Sequence, residues 1–329
     1  MLSILYLVLE SLAVILPILL AVAWITILER KVLAATQRRV GPNSVGYYGI
    51  LQPFSDALKL IVKETVIPSS ANKVLFYLAP CVAITVSLLG WAVVPLGQGL
   101  VISDFSMGVL FTLTLSSLGV YGILFAGWSA NSKYAFLGAL RASAAMISYE
   151  LILSSSIIVV ILLAGSFNYT KIIEAQQAIW FIVPLAPVFI LFFIAILAET
   201  SRTPFDLQEA ESELVAGFFT EHSSIIFVFY FLAEYSSIVL FSAVTSILFL
   251  GGYNFPELFI NDTFLNLQSV VLGIKTCAIC FVFIWFRATF PRVRMDQIIV
   301  FCWTALLPIV MAFIILVPCL LIAFDLVVV

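Results

Sequence analysis

The sequence predicts an all-α integral membrane protein, a bundle of about eight transmembrane helices with a short amphipathic interfacial helix in the first loop. Composition is the first reason: 63% of the 329 residues are apolar and only 10% are charged, against about 45–50% and about 25% in soluble domains. Mean hydropathy is +1.20. Too few polar groups remain to cover this apolar surface in water, which excludes a cytosolic enzyme, a nucleic-acid-binding protein and a disulfide-stabilised secreted domain.

The second reason for this prediction is the pattern of apolar runs. A helix that crosses a ~30 Å hydrocarbon core needs about 20 apolar residues, and such runs recur along the chain. We interpret residues 1–329 as a single membrane domain. The expected crossings lie near 3–28, 74–96, 107–128, 143–165, 180–199, 224–250, 265–286 and 298–324.

The basic residues predict the orientation of the bundle. An even number of crossings places both termini on one side of the membrane. All of the 15 lysines and arginines except Lys171 and Lys275 fall in the loops that lie opposite the termini. This asymmetry is the positive-inside pattern, so these loops are expected to face the cytoplasm, or the matrix in a mitochondrion. The loops are 29–73, 129–142, 200–223 and 287–297.

The first of these loops is long enough to hold a helix near 53–65. Pro53 can open it, and the apolar Phe54, Ala57, Leu58 and Ile61 follow at helical spacing. The polar Asp56, Lys59 and Lys63 fall on the opposite face. The helix is expected either to lie in the membrane interface or to pack against the bundle.

Several charges lie where a membrane helix should be apolar. Glu10, Glu150, Glu234 and Lys275 fall inside predicted crossings, and Glu199 closes the fifth. A charge at the bilayer centre costs from about 3 to more than 10 kcal/mol, so such residues usually face the bundle interior and often mark an ion or proton path. The alternatives are a structural ion pair between Lys275 and a glutamate, and a Glu10 that reaches out to a helix end.

The segment 199–213 is strongly acidic although it lies in a basic-side loop. Asp206, Glu209 and Glu213 share one helical face. Carboxylates crowded in this way repel one another and favour retained protons, which suits a proton relay. A solvated acidic loop is the plainer interpretation. Pro204 ends the preceding helix, and Arg202 is expected to pair with Glu199 three residues earlier.

The sequence shows no redox centre of its own. His222 is the single histidine, whereas a haem b held across a bundle needs two axial ligands. Cys277 and Cys280 have a C-x-x-C spacing inside an apolar crossing, which we interpret as packing. We therefore expect no haem, iron–sulfur cluster, flavin or metal in this chain. Two N-x-[ST] sequons, at Asn168 and Asn261, would fit a glycosylated transporter but arise easily by chance.

Two segments resemble the signatures of a known family. They read ERKVLAATQRRVGPN at 29–43, continued by GILQPFSDALK at 49–59, and AETSRTPFDLQEAESELV at 198–215. Shorter matches lie at 138–141, 147–150, 233–235 and 291–297. The chain resembles chain 1 of NADH-ubiquinone oxidoreductase, the quinone-site membrane subunit of respiratory complex I, over essentially its whole length. Ser201 departs from the usual Asn and His222 from the common Tyr.

The resemblance implies a subunit of an enzyme, with no complete active site of its own, placed where the peripheral arm of the complex meets the membrane. Ubiquinone would be the substrate, in a tunnel formed with neighbouring subunits. NADH, FMN and the iron–sulfur clusters would belong to partner subunits of the membrane and peripheral arms. By motif match, the tunnel residues are Arg30, Asp56, Glu64 and Arg287, and the proton relay consists of Tyr149, Glu150, Glu199, Asp206, Glu209, Glu211, Glu213, Glu234 and Tyr235.

In this family, charge changes at the quinone cavity would alter protonation of the relay and move the loop around Pro204, and the effect would reach proton pumps in neighbouring subunits. The mitochondrial inner membrane is the expected location, because mitochondrial members are short at both ends like this chain; a bacterial plasma membrane is the alternative.

The alternatives in function are a homologous subunit of a membrane-bound hydrogenase-type complex and an autonomous proton-coupled transporter. The absence of inverted halves with matching broken helices disfavours the transporter.

Overall fold

The computed structural model describes residues 2–206, 208, 216–254 and 268–325, and within these ranges the fold is all-helical apart from one isolated bridge between Gly97 and Leu100. This confirms the predicted fold class. The α-helices are α1 Leu2–Thr36, α2 Gln52–Val62, α3 Lys73–Leu89, α4 Gly108–Ala130, α5 Lys133–Ala164, α6 Tyr169–Ala175, α7 Ala186–Glu199, α8 Ser224–Phe249, α9 Gln268–Thr289, α10 Met295–Phe301 and α11 Leu307–Ala323.

Seven helical spans in the described ranges are long and apolar enough to cross a membrane. In two of them a tighter or wider turn continues the helix: the 3₁₀ turn Gly90–Val93 extends α3, and the π turn Cys302–Leu306 joins α10 to α11. The seven spans are Val8–Thr36, Lys73–Val93, Gly108–Ala130, Lys133–Ala164, Ser224–Phe249, Gln268–Thr289 and Met295–Ala323.

The expected crossing at 180–199 is wrong in its extent, because α7 begins only at Ala186 and has 14 residues. At 1.5 Å per residue it spans about 21 Å, short of a ~30 Å core. Pro184 and Pro187 explain the late start, since proline lacks the N–H that a helix interior needs but fits its first turn. Val188, Phe192 and Ile196 of α7 are fully buried, so the short helix is enclosed by its neighbours.

One helix, α5, is longer than expected, and another, α6, was not expected. α5 begins at Lys133 rather than near 143, with Ser132 as the N-cap residue whose hydroxyl accepts from the Ala135 N–H. The expected loop 166–179 contains α6, capped by Asn168. The Asn168 amide also donates to Asp104 Oδ1 at 2.8 Å, so this sequon's side chain is engaged in the fold. Asn261, in the second sequon, lies outside the described residues.

α5 packs against α4 and α7, and α8 packs against α3 and α9. Small residues permit close approach: a Cβ on Gly138 of α5 would lie 2.8 Å from the Cα of Gly217, in the 3₁₀ turn Gly217–Glu221. This contact holds the chain that follows the acidic segment against α5. Acids of α5, α7 and α8 lie in one region of the bundle, because Glu199 interacts with Glu150 and lines a cavity together with Glu234.

α2 lies on the surface and ends at Val62, three residues before the expected end. It contains no buried residue, and Phe54, Leu58 and Ile61 are all exposed. Its opposite side faces α1 through Asp56. An exposed apolar face supports the interfacial interpretation of this helix.

Candidate functional site

A buried ionic cluster surrounds Glu29, near the end of α1. Glu29 is 3% exposed and its carboxylate accepts hydrogen bonds from three donors. Arg202 Nη1 donates at 2.9 Å, Tyr235 Oη donates at 2.6 Å, and Arg287 Nη1 also donates. A buried carboxylate is stable only when it is paired in this way.

Glu29 was missing from the residues expected in the site. The available signal was its place in the first signature, directly before Arg30 at the basic-side end of the first crossing. Its partners are 173, 206 and 258 residues away in the chain, which no spacing argument could have found. Arg287, which like Arg30 is expected to line the tunnel, is one of the partners of Glu29.

Arg202 connects the Glu29 cluster to Glu234. Its Nε lies 3.4 Å from Glu234 Oε1, and its guanidinium stacks over the Tyr235 ring at 4.4 Å. The expected pairing with Glu199 is wrong: Ser201 adopts φ 49°, in the left-handed region, and directs the chain away from the axis of α7. Burial alone would lower the pKa of Arg202, but Tyr235, Glu234 and Glu29 raise it, so the guanidinium stays charged.

A cavity of about 120 Å³ adjoins this cluster. Glu199 and Glu234 line it together with Thr200, Ser201 and Gln208, and the remaining wall is apolar. Glu199 is 6% exposed, and its Oε2 has no hydrogen-bond partner among the described residues. The cavity has room for several water molecules beside its few polar groups, and water can serve as a hydrogen-bond partner of the Glu199 carboxylate.

Glu150 extends the row of acids into α5. It interacts electrostatically with Glu199 and accepts a hydrogen bond from Ser117 Oγ of α4. The three acids expected from the sequence, Glu150, Glu199 and Glu234, therefore lie around one region of the bundle. Arg202 joins this row to Glu29.

The two tyrosines of the expected relay occupy different surroundings. Tyr235 contacts Glu29 and Arg202. Tyr149 is fully buried, but its hydroxyl donates to the Ile298 carbonyl at 3.3 Å and its ring packs on Phe205 at 5.2 Å. Tyr149 thus supports the packing of the loop after α7 on α5 and α10.

Asp206 is held by the loop that precedes α10. Arg292 Nη2 lies 2.7 Å from Asp206 Oδ2, and the Val293 N–H donates to the Pro204 carbonyl at 3.0 Å. These contacts fasten the start of the acidic segment. The other acids expected there, Glu209, Glu211 and Glu213, lie outside the described residues.

A second, more exposed ion pair lies where α1 meets α2. Arg30 Nη1 is 2.6 Å from Asp56 Oδ2, and Gln52 donates to the other carboxylate oxygen at 3.0 Å. The two side chains are 47% and 35% exposed, so the pair lies at the surface. Glu64, also expected in the tunnel, is exposed just beyond α2.

Lys275 is held by main-chain carbonyls. Its ammonium donates at 2.7 Å to each of Leu250, Gly252 and Asn254 and lies 4.7 Å from the Trp180 ring centroid. The sequence had suggested an ion pair with a membrane glutamate; within the described residues, three carbonyls at and just beyond the end of α8 accept hydrogen bonds from the ammonium. No group of three or more His, Cys, Asp or Glu among the described residues could hold a metal ion.

Comparison with known proteins then identifies the family. A family model described as NADH dehydrogenase matches residues 9–318. The chain belongs to this family. It is 65% identical over 327 residues to NADH-ubiquinone oxidoreductase chain 1 of Mycosarcoma maydis, with 99% of each chain covered.

Two further relatives extend the range of organisms. NADH-ubiquinone oxidoreductase chain 1 of Podospora anserina is 52% identical over 357 residues, covering 98% of this chain and 97% of the relative. An NADH-quinone oxidoreductase subunit of Rhodospirillum centenum is 49% identical over 316 residues, covering 96% and 94%. These matches confirm the resemblance seen in the motifs. The NADH dehydrogenase family chain is a multi-pass membrane subunit of an oxidoreductase.

Proposed function

We propose that this chain is the quinone-site membrane subunit of a proton-pumping NADH:ubiquinone oxidoreductase in a mitochondrial inner membrane. Its role is to help form the quinone tunnel and to couple quinone reduction to proton translocation. The observation that carries the proposal is the continuous row of charged contacts from Arg287 through Glu29 and Arg202 to Glu234, which ends at the Glu199 cavity. The greater identity to the fungal relative than to the bacterial one supports the mitochondrial location.

The quinone side of the site would lie toward α1 and α2. The apolar exposed face of α2 suits a lipid-soluble substrate that arrives from the membrane, and the Arg30–Asp56 pair holds α2 against α1. Neighbouring subunits of the membrane and peripheral arms complete the tunnel, because this chain alone holds only part of the wall. Electrons reach the quinone from NADH through FMN and iron–sulfur clusters in those partners.

Coupling follows from the shared guanidinium of Arg202. Quinone reduction consumes electrons and protons and so changes the charge near Arg287 and Glu29. If Glu29 attracts Arg202 less strongly, Arg202 interacts more strongly with Glu234. If Glu29 attracts Arg202 more strongly, Arg202 interacts less strongly with Glu234. Two unit charges ~4 Å apart interact by about 4 kcal/mol at an effective dielectric constant near 20. Loss of the 3.4 Å Arg202–Glu234 contact would therefore remove a favourable interaction from the ionised Glu234 carboxylate.

Protons would then move between the acids through water in the cavity. Glu234 and Glu199 line the same cavity, and Glu150 interacts electrostatically with Glu199. Water in such a space can carry protons between carboxylates that do not touch. Because the acids interact, their protonation is coupled and no single titration belongs to one of them.

The test replaces Glu199 or Glu234 by Gln in the intact complex, with Glu174→Gln as the matched control. Glu174 is an exposed carboxylate of α6, outside the row. Gln keeps the shape and hydrogen-bonding capacity but removes the titratable proton. We expect normal complex content on a native gel, sharply reduced ubiquinone reductase activity, and an unchanged control.

The alternative is a purely structural role for these acids. Loss of one partner from a buried ion pair costs about 3–5 kcal/mol and would appear as lost assembly with normal turnover per complex. Normal content together with normal, fully coupled turnover in both Gln variants would reject the proposal. The autonomous-transporter alternative predicts a chain that migrates alone in native detergent, whereas this subunit should migrate with iron–sulfur subunits.

A further inference from the structure

A second group of buried polar side chains lies beside the carboxylate cavity, at the basic-side end of α8. His222 is 6% exposed, and neither of its ring nitrogens has a hydrogen-bond partner among the described residues, although the Ala126 carbonyl lies close enough to interact with the ring. Tyr230 is 4% exposed, and its hydroxyl is likewise unpartnered within the described ranges. The nearby Ser224 hydroxyl is also buried without a partner there.

The rings of His222 and Tyr230 are close together, and Tyr230 reaches the carboxylate cavity. The His222 and Tyr230 rings lie 5.3 Å apart, centroid to centroid. Tyr230 lines the same cavity as Glu199 and Glu234. The residues on either side of His222, Glu221 and Ser223, are partly exposed, and Ser223 Oγ accepts from the Val66 N–H. His222 therefore lies between the basic-side surface and the carboxylate cavity.

We propose that His222 and Tyr230 bind water in a buried site that forms a proton-conducting branch from the basic side of the membrane into the carboxylate cavity. The proposal deepens the proposed function, on which it rests. Three buried hydroxyl or imidazole groups that have no hydrogen-bond partner at normal geometry among the described residues require a small ligand able both to donate and to accept hydrogen bonds. Water meets this requirement, and buried waters typically make two to four such bonds.

Proton transfer through this branch balances without any redox partner. A neutral imidazole has one N–H and one lone pair, so a proton can bind the free nitrogen while the other nitrogen releases its own proton. Water and the Tyr230 hydroxyl pass one proton on in the same way, accepting one and releasing one. One proton enters from the surface, one reaches a cavity carboxylate, and exchange of the imidazole tautomer restores the starting state.

The local environment keeps His222 in the neutral form that this exchange requires. Burial lowers the pKa of His222 to about 4. Its ring packs on Phe76 at a centroid distance of 4.4 Å and near Phe218 at 6.5 Å, so aromatic side chains surround it. A phenol hydroxyl at this position could also accept and release a proton.

The direct test is a structure of the intact complex at a resolution that shows ordered water. We expect a water oxygen within about 3.2 Å of a His222 ring nitrogen, hydrogen-bonded directly or through a second water to the Tyr230 hydroxyl. A structure in which protein groups alone satisfy these atoms, or in which no water lies between them, would overturn the proposal.

The functional test uses His222→Phe and Tyr230→Phe in the intact complex. Tyr230→Phe removes only the hydroxyl, and His222→Phe replaces the imidazole by a somewhat larger aromatic ring without proton-carrying atoms. Tyr121→Phe is the control, because Tyr121 is 52% exposed on α4 and loses a hydroxyl outside the cavity. We expect about a tenfold loss of ubiquinone-dependent turnover in both test variants, less than the ~10²-fold of a positioned acid–base group because water can partly replace the side chain.

Oxidation of NADH by a water-soluble acceptor should be unchanged in all three variants. His222→Tyr should restore most of the turnover, which a role in packing alone would not predict from a larger side chain. If His222→Phe fails to assemble, Tyr230→Phe decides the matter, since wild-type turnover in that variant would overturn the branch.

Parallel measurements on Glu199→Gln and Glu234→Gln separate the two proposals. If these variants lose turnover while His222→Phe and Tyr230→Phe keep it, the branch is wrong and the proposed function stands. If both Gln variants turn over normally with full coupling, the proposed function fails and the branch has no carboxylates to supply, whatever water the structure contains.

Discussion

Replacement of Arg202 by Met should destabilise the subunit strongly, because Arg202 is the cation shared by two acids. Its side chain is 8% exposed and lies 2.9 Å from Glu29 and 3.4 Å from Glu234. Removal of one partner from a buried ion pair costs about 3–5 kcal/mol. Glu29 keeps the hydrogen bonds from Arg287 and Tyr235, so the lower end, about 3 kcal/mol, is expected.

The assay is the amount of assembled complex on a native gel, together with the midpoint of its thermal unfolding in detergent. Arg202→Lys should be intermediate, since an ammonium keeps the charge but cannot form two divergent contacts like a guanidinium. The double variant Arg202→Met with Glu234→Gln should recover part of the loss, because the second change removes the carboxylate that lost its cation. Coupling energies of about 0.5–3 kcal/mol are typical of contacting pairs.

Two outcomes would refute this reasoning. Arg202→Met with wild-type content and an unchanged unfolding midpoint would mean that the two ion pairs contribute nothing measurable. A double variant no more stable than Arg202→Met alone would mean that Arg202 acts through packing on Tyr235 rather than through Glu234.

Three further predictions follow from the same structure. Arg30→Ala should leave assembly nearly intact, since an exposed ion pair contributes at most about 1 kcal/mol, yet it should weaken ubiquinone turnover while NADH oxidation by a water-soluble acceptor stays normal; equal loss of both activities would indicate failed assembly. Cysteines introduced at 37–46 and 290–294 should be labelled from one side of the membrane and those at 97–106 only from the other, and a shared side would contradict the topology. Burial lowers the pKa of His222 in the folded state to about 4 from an ordinary 6.5, so the unfolded chain binds the extra proton first, and stability is full above about pH 6.5 and decreases as pH falls toward 4. Unfolding midpoints measured over this pH range should therefore fall less in His222→Phe than in the wild type. An identical fall in both would contradict the burial of a neutral His222.

Local pattern was sufficient for the helices that are long and continuously apolar. α4, α8 and α9 lie within three residues of their expected bounds because lipid exposure imposes a run of about 20 apolar residues. α7 escaped this rule because it is enclosed by protein and interrupted by prolines at its start. The start of α5 was missed because Lys133 and Arg141 resemble loop charges, although the helix continues through them.

The charged site was only partly predictable, for a different reason. Glu150, Glu199 and Glu234 could be identified one by one, because a carboxylate within an apolar run is costly in lipid. Which groups pair with one another depends on tertiary packing: Glu29 meets Arg287 across 258 residues, and Asp206 meets Arg292 across 86. The nearest basic residue in the chain, Arg202, turned away from Glu199 because the helix ends between them in a left-handed turn at Ser201.

The central claim is that the acids around the cavity couple quinone reduction to proton movement. The most direct measurement is simultaneous recording of ubiquinone-dependent NADH oxidation and proton translocation in sealed vesicles that contain the whole complex with Glu234→Gln, beside the wild type and Glu174→Gln. The account predicts that electron transfer and proton translocation both fall sharply in Glu234→Gln, with normal complex content, while Glu174→Gln behaves as the wild type. Full rates of both processes in Glu234→Gln would contradict it.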